Sequence, residues 1–172
     1  PLRRQRQMCI RDRDDAALNE ALDLNNVVPN KGAYEGYLSW VATGLEEPLT
    51  THADRYKFSR GYGASSYSKG SVFLSQLGYI IGEKTLYKAL QLYFKKWAFK
   101  HPRPYDFIRC AERVSGLELD WYLMDWAQTT KQLDYQVNSI IGEEGKTKVV
   151  LKREKQMPMP IDVEAVSYTH LT

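Results

Sequence analysis

Few side chains in this sequence have the type and spacing that chemistry needs. There are three histidines, His52, His101 and His170. None belongs to an H-E-x-x-H pair, which would put two imidazoles on one helix face for zinc. His101, between Lys100 and Pro102, reads as a turn residue. His52, in Thr50-Thr51-His52-Ala53-Asp54, reads as a hydrogen-bonding residue of a long polar loop. No serine sits in a G-x-S-x-G elbow. Gly61-Tyr62-Gly63 lacks the lysine and the strand-loop-helix setting of a phosphate cradle. Glu46-Glu47 and Glu143-Glu144 read as solvated turn charges, and the helical Tyr and Trp residues as core. Tyr67 stands apart, followed by Ser68-Lys69-Gly70 where an amphipathic run begins. From pattern alone it is open whether Tyr67 is a core tyrosine or faces a cleft.

The elements that must position these groups follow from periodicity. Ala17, Leu18, Ala21, Leu22 and Leu24 predict a short helix within Asp14 to Asn30, and a second is expected over Tyr34 to Thr43, stopped by Gly44. The polar stretch from Glu46 to Gly63, with Pro48, Gly61 and Gly63, reads as a long loop. From Ser66 to Ile81 the residues Phe73, Leu74, Leu77, Ile80 and Ile81 recur at helical spacing; Ser65 or Ser66 can cap the start and Gly82 the end. Leu86, Ala89, Leu90, Tyr93, Phe94 and Trp97 predict an inner face for a helix over Glu83 to Phe99, ended by Pro102. Pro104 opens a further helix, striped by Phe107, Ile108, Ala111 and Val114 and closed by Gly116. Leu119, Tyr122, Leu123 and Trp126 stripe another, from about Glu118 to Thr129.

Past Lys131 the period falls to two. Leu133, Tyr135 and Val137 alternate with polar residues, Gly142 to Gly145 make a turn, and Thr147, Val149 and Leu151 alternate again. This predicts a β-hairpin with one buried face. Ile161, Val163 and Ala165 predict a third strand. No internal repeat or low-complexity segment is present, and no apolar run is long enough to cross a bilayer.

The two ends share an unusual relation. Met8 to Asp12 can be encoded by ATG TGT ATA AGA GAC, and the reverse complement of that string encodes Val-Ser-Tyr-Thr-His, the residues Val166 to His170. Pro1–Arg13 and Val166–Thr172 therefore read as adapter-derived ends, set aside from fold reasoning. The leading end carries five Arg and one Asp, so removing its +4 from the formal net charge of +3 leaves −1. The pI of 8.8 then supports no nucleic-acid or anionic-membrane partner. Of two cysteines, Cys9 goes with the leading end, leaving Cys110 without an internal disulfide partner or a metal-type pair.

Tyr67-Ser68-Lys69-Gly70 resembles the Y-x-K-G element of zinc aminopeptidases of the aminopeptidase N family. Collinear with it run Gly82-Glu83, Pro104, Asp106-Phe107, Ser115-Gly116, Leu119-Asp120-Trp121, Trp126, Leu133-Asp134-Tyr135, Lys152-Arg153 and Met157-Pro158-Met159-Pro160. The resemblance spans Lys31 to Ala165 and is to a bacterial branch of the family. It implies an α+β fold. Residues 14–131 would be a helical bundle from the C-terminal half of a thermolysin-like catalytic domain, and 132–165 the first strands of a β-sandwich. It implies peptide substrates that lose their N-terminal residue, and it makes Tyr67 the catalytic tyrosine. An ordinary phenol, with a pKa of about 10, stays protonated at neutral pH and donates one hydrogen bond. Side chains in a first helical turn lean back toward the N-terminus, so Tyr67 is expected to project off a helix head toward a cleft.

In such enzymes zinc is held by the two histidines of H-E-x-x-H and a glutamate on the following helix. Those ligands, the glutamate base and the residues that hold the substrate amine are expected upstream, in a full-length parent. Asn19-Glu20 lies downstream of the place of the third-ligand motif and is followed by Ala21, so Glu20 is not assigned to metal. The chain by itself is expected to bind no catalytic zinc and to hydrolyse nothing. The competing readings are a non-catalytic relative that keeps the scaffold for protein interaction, and an unrelated helical binding module if Tyr67 is buried. Localisation and oligomeric state stay open.

Overall fold

The computed structural model describes residues 29–143 and 146–164. The expected helix within Asp14 to Asn30 and the two ends that read as adapter-derived, Pro1–Arg13 and Val166–Thr172, lie outside these residues, apart from Pro29 and Asn30. The chain divides into two units, with Thr130 the last residue of the first and Lys131 the first of the second. Among the described residues, helices make up the first and two strands the second, which is the expected α+β arrangement.

The helical unit opens with α1, Lys31–Val41. Asn30 precedes it at φ 59, a left-handed conformation that asparagine tolerates better than most residues. The chain leaves α1 through Gly44, at φ +70. Between them, Tyr37 and Trp40 are buried. The following segment contains one 3-10 turn, Ala53–Arg55, and then a long helical run. That run begins as α2, Ser59–Gly63, passes through a π-helical turn, Ala64–Lys69, and continues as α3, Gly70–Ile81. Gly63 and Gly70, at the two junctions, both have right-handed helical angles, so the backbone is continuous.

This corrects the expected boundary. The loop ends at Phe58, not Gly63, and neither Ser65 nor Ser66 is a cap. Gly61 read as a loop residue but is a packing residue: a Cβ there would meet the Trp40 ring at 2.9 Å. Glycine lets α2 lie directly against that indole, and the close fit offsets its weak helix propensity.

Gly82, at φ 84 and ψ 139, ends α3 in a conformation open essentially to glycine alone. Next comes α4, Glu83–Trp97, with Glu83 in its first turn and Lys95 and Lys96 in its last, each suited to the helix dipole. It stops two residues short of Phe99, which has φ 60. Leu86 and Ala89 are buried as the stripe predicts, but Phe94 is 65% exposed and does not belong to the inner face. Helix α5, Pro104–Ser115, starts on its proline and is closed at the N-terminus by Asp106, whose carboxylate accepts the Arg103 N–H at 2.7 Å. Gly116, at φ 73, ends it. The last helix is α6, Asp120–Ala127.

The packing is α4 on α3 and α5, and α6 on α5. Its centre is aromatic. Tyr122 lies with its ring centroid 4.9 Å from Phe73 and 5.8 Å from Trp126, and Val72, Leu77, Ile108 and Ala111 are buried in the same unit. The Tyr122 hydroxyl donates to the Phe73 carbonyl at 2.6 Å.

In the second unit β1, Tyr135–Glu143, pairs antiparallel with β2, Lys146–Arg153. A bulge between Val137 and Ser139 shifts the register, so alternation read from one end of β1 does not carry to the other. The expected buried face is not found. Val137, Ile140, Ile141, Val149 and Leu151 are all exposed. The expected third strand is also absent at residues 161–164. Tyr135 ties down the segment after β2: its hydroxyl donates to the Met159 carbonyl at 3.3 Å and accepts the Met159 N–H at 3.1 Å.

Candidate functional site

Tyr67 lies within the π turn, in the middle of the helical run and not at its head. Its exposure therefore comes from the face it occupies, and the expected projection off a helix end is corrected. Tyr67 is 37% exposed, so its ring is not sealed inside the bundle. Two positions along the helix, Lys69 is fully buried. Residues two apart on a helix point to roughly opposite sides, so an inward Lys69 and an outward Tyr67 are one geometric fact.

The inward side of the π turn is polar and tightly held. The Lys69 ammonium donates to Glu46 Oε1 at 2.6 Å and to the Thr129 carbonyl at 3.1 Å, and it stands 5.7 Å from the centre of the Tyr37 ring. The Glu46 side chain is 6% exposed. Glu46 Oε1 also accepts the Tyr37 hydroxyl at 3.3 Å. Burial, and then the neighbouring Glu46 charge, push the Tyr37 phenol far above its ordinary value. Glu46 Oε2 is buried and has no hydrogen-bond partner among the described residues. Ser65, almost wholly buried, directs its hydroxyl to the Glu47 carbonyl at 3.5 Å. Ser68 lies against α1, where Gly36 makes room: a Cβ at Gly36 would sit 2.7 Å from Ser68 Oγ.

Glu46 was expected to be a solvated turn charge, and its burial against Lys69 overturns that. The signal for the pair is in the sequence: Lys69, Val72, Phe73 and Leu77 lie on one helical stripe, so the lysine occupies an apolar face. A lysine there must bring its own acceptor inside.

The remaining candidates fall elsewhere. His52 is exposed; its Nδ1 accepts the Asp54 N–H at 3.3 Å and caps the 3-10 turn, which is the loop role that its setting suggested. His101 is exposed in the connection between α4 and α5. Cys110 is buried in α5, and burial raises its thiol pKa. Asn19 and Glu20 lie outside the described residues.

Among the described residues one carboxylate group comes together, with Glu112, Glu118 and Asp120 oxygens within 4.8 Å of one another. Glu112 already accepts the Leu119 N–H at 2.9 Å, which closes the turn leading into α6. Zinc sites are commonly built on imidazole or thiolate donors, whereas an all-oxygen set suits harder cations. The described residues therefore do not fit the zinc that the resemblance implies.

The Peptidase family M1 domain profile matches residues 33–126, more than half of the chain. The chain belongs to peptidase family M1. A similar curated protein is Aminopeptidase N of Streptomyces lividans, 36% identical over 64 residues, which are 37% of this chain and 8% of that relative. The chain thus spans a small part of the length of the relative it matches.

Proposed function

We propose that this chain is the part of an M1-family aminopeptidase that supplies the hydrogen-bond donor to the transition state, through Tyr67. The substrate class is a peptide with a free N-terminus, from which one residue is released. When water attacks the scissile carbonyl, that oxygen gains negative charge. The Tyr67 phenol donates a hydrogen bond to it and keeps its own proton throughout. A donor already in place reorganises nothing during the reaction, which is why such groups contribute strongly to rate. Zinc and the general base of the reaction are assigned to other segments of the full-length protein.

The observation that supports this reading is the contrast on one turn: Tyr67 is exposed while Ser65 and Lys69, on either side of it, are buried. A rigid backbone carrying an outward phenol is what an oxyanion donor needs.

The test has two steps. The full reading frame upstream is read for H-E-x-x-H and a downstream glutamate. Tyr67→Phe is then made in the full-length protein. We expect kcat to fall on the order of 10²–10³-fold, with KM and zinc content unchanged. An unchanged kcat removes Tyr67 from the mechanism. A degenerate zinc motif, together with no peptide hydrolysis by the full-length protein, replaces this reading with that of a non-catalytic relative.

A further inference from the structure

The geometry points to Lys69 and Glu46 as positioning residues for Tyr67: their buried ion pair holds the π-helical turn in register and so fixes where the phenol stands. This inference rests on the catalytic reading of Tyr67.

Three observations carry it. The first is the turn itself. A π turn holds an extra residue relative to an α-helix, is rare, and persists where the surroundings enforce it. If Ala64–Lys69 relaxed to α-helix, the residues before Ala64 would rotate about the axis relative to α3 by about one residue's step, roughly 100°. Tyr67, inside the turn, would rotate by part of that.

The second is where Lys69 is anchored. Glu46 lies in the segment after α1, Thr129 in the segment after α6, and Tyr37 within α1. A buried apolar side chain is held by shape alone, because dispersion contacts have no preferred direction. An ammonium donating to a carboxylate and a carbonyl has two fixed aiming points. Ser65 and Ser68 add weaker holds on the same turn. Tyr67 is the residue of this turn that reaches solvent most.

The third is that the pair is poorly arranged for stability alone. Burying two charges costs their hydration, and a buried pair often does no better than two apolar side chains of the same volume. Here one carboxylate oxygen, Glu46 Oε2, is buried without a partner among the described residues. An arrangement that gains little stability but aims two groups is suited to setting register.

The test is a double-mutant cycle on turnover in the full-length protein, with Lys69→Met, Tyr67→Phe and the two combined. Misplacing a reacting group by about 1 Å can lower rate on the order of 10²-fold, so Lys69→Met alone should lower kcat by about that factor while KM stays within about twofold. In the Tyr67→Phe background the same substitution should lower kcat less than about twofold, because the group it positions is gone. Glu46→Gln keeps the acceptor and removes its charge. It runs through the same cycle if Lys69→Met does not fold, and a coupled loss of kcat is expected there too. Equal losses in both backgrounds, or a change in KM alone, overturn the positioning role and leave Tyr67's own role standing. If Tyr67→Phe keeps full kcat, both readings fall together.

Discussion

Tyr122 and Lys69 are both closed off from solvent in the helical unit, yet they satisfy their polar ends in different ways. Tyr122 sits among aromatic rings and spends its one donor on one carbonyl, that of Phe73, at 2.6 Å. It adds a hydrogen bond to a region already held by burial of rings, and no charge is involved. Lys69 brings a full charge to an apolar face and needs Glu46, Thr129 and the Tyr37 ring to receive it. The first is a neutral group with a complete answer; the second is a pair with one oxygen left over. The comparison separates two uses of buried polarity. A satisfied hydroxyl adds stability to a packed core, whereas a charge pair adds directional restraint at some cost in hydration. The restraint lies beside the candidate catalytic residue.

The sharpest way to break this comparison is to remove one member of the pair. Lys69→Met leaves the buried Glu46 carboxylate uncompensated and should destabilise the chain by about 3–5 kcal/mol in urea unfolding. Lys69→Met with Glu46→Leu should recover most of that loss, since no charge is then left inside. If the double variant is as unstable as the single one, the pair is a stability element and the contrast with Tyr122 disappears.

Tyr122→Phe should cost less, about 1–3 kcal/mol near neutral pH, because only a neutral carbonyl is left unanswered. It also has a signature in pH. Burial raises the folded Tyr122 phenol well above its ordinary value of 10.0. Below pH 10 both states hold the proton, so stability does not change on its account. Above pH 10 the unfolded phenol loses its proton and the folded one does not, so stability falls as pH rises. Urea midpoints of the chain and of Tyr122→Phe should therefore converge as pH is raised past 10. Parallel curves would mean that the Tyr122 hydroxyl ionises alike in both states. Tyr37 is shifted in the same direction, so a slope should remain in the variant.

Helices were legible wherever the apolar stripe was complete. Phe73 and Leu77, Phe107 with Ile108 and Ala111, and Tyr122 with Trp126 all lie on the inner faces that spacing assigned to them. Gly82, Pro104 and Gly116 marked ends for local reasons of φ and missing N–H, and those survive any tertiary context. The start of the run carrying Tyr67 was not legible. Gly61 and Gly63 punctuate the sequence like a loop, and only the Trp40 ring, 2.9 Å from where a Gly61 Cβ would be, shows why glycine belongs in a helix there. Glu46 was misread because a glutamate beside another in a polar stretch looks solvated. Its partner, Lys69, is 23 residues away and could be inferred only from its own place on an apolar stripe. The π turn leaves no mark in periodicity at all. For Tyr67, the motif singles out the residue, but its exposure from the middle of a helix rather than its end depends on the face that the π turn directs outward.

The smallest expected effect lies in the β-hairpin, and it tests whether burial, and not apolar identity, decides cost in this chain. Alternation in β1 and β2 reports a strand period, but period does not say whether anything covers a face. Ile140 has the side chain of a core residue, yet it is 67% exposed. Replacing it with threonine keeps the β-branched shape that suits a strand and gives up little burial, because little is present. Ile140→Thr should thus change the stability read from urea unfolding by no more than about 0.5 kcal/mol, as expected of a surface position. Leu77 offers the control, being fully buried on α3: Leu77→Ala should cost about 2–5 kcal/mol through lost contacts and the space left behind. A loss at Ile140 approaching that at Leu77 would mean that the hairpin face is covered in solution, and the place to look would then be Val149, its partner across the ladder.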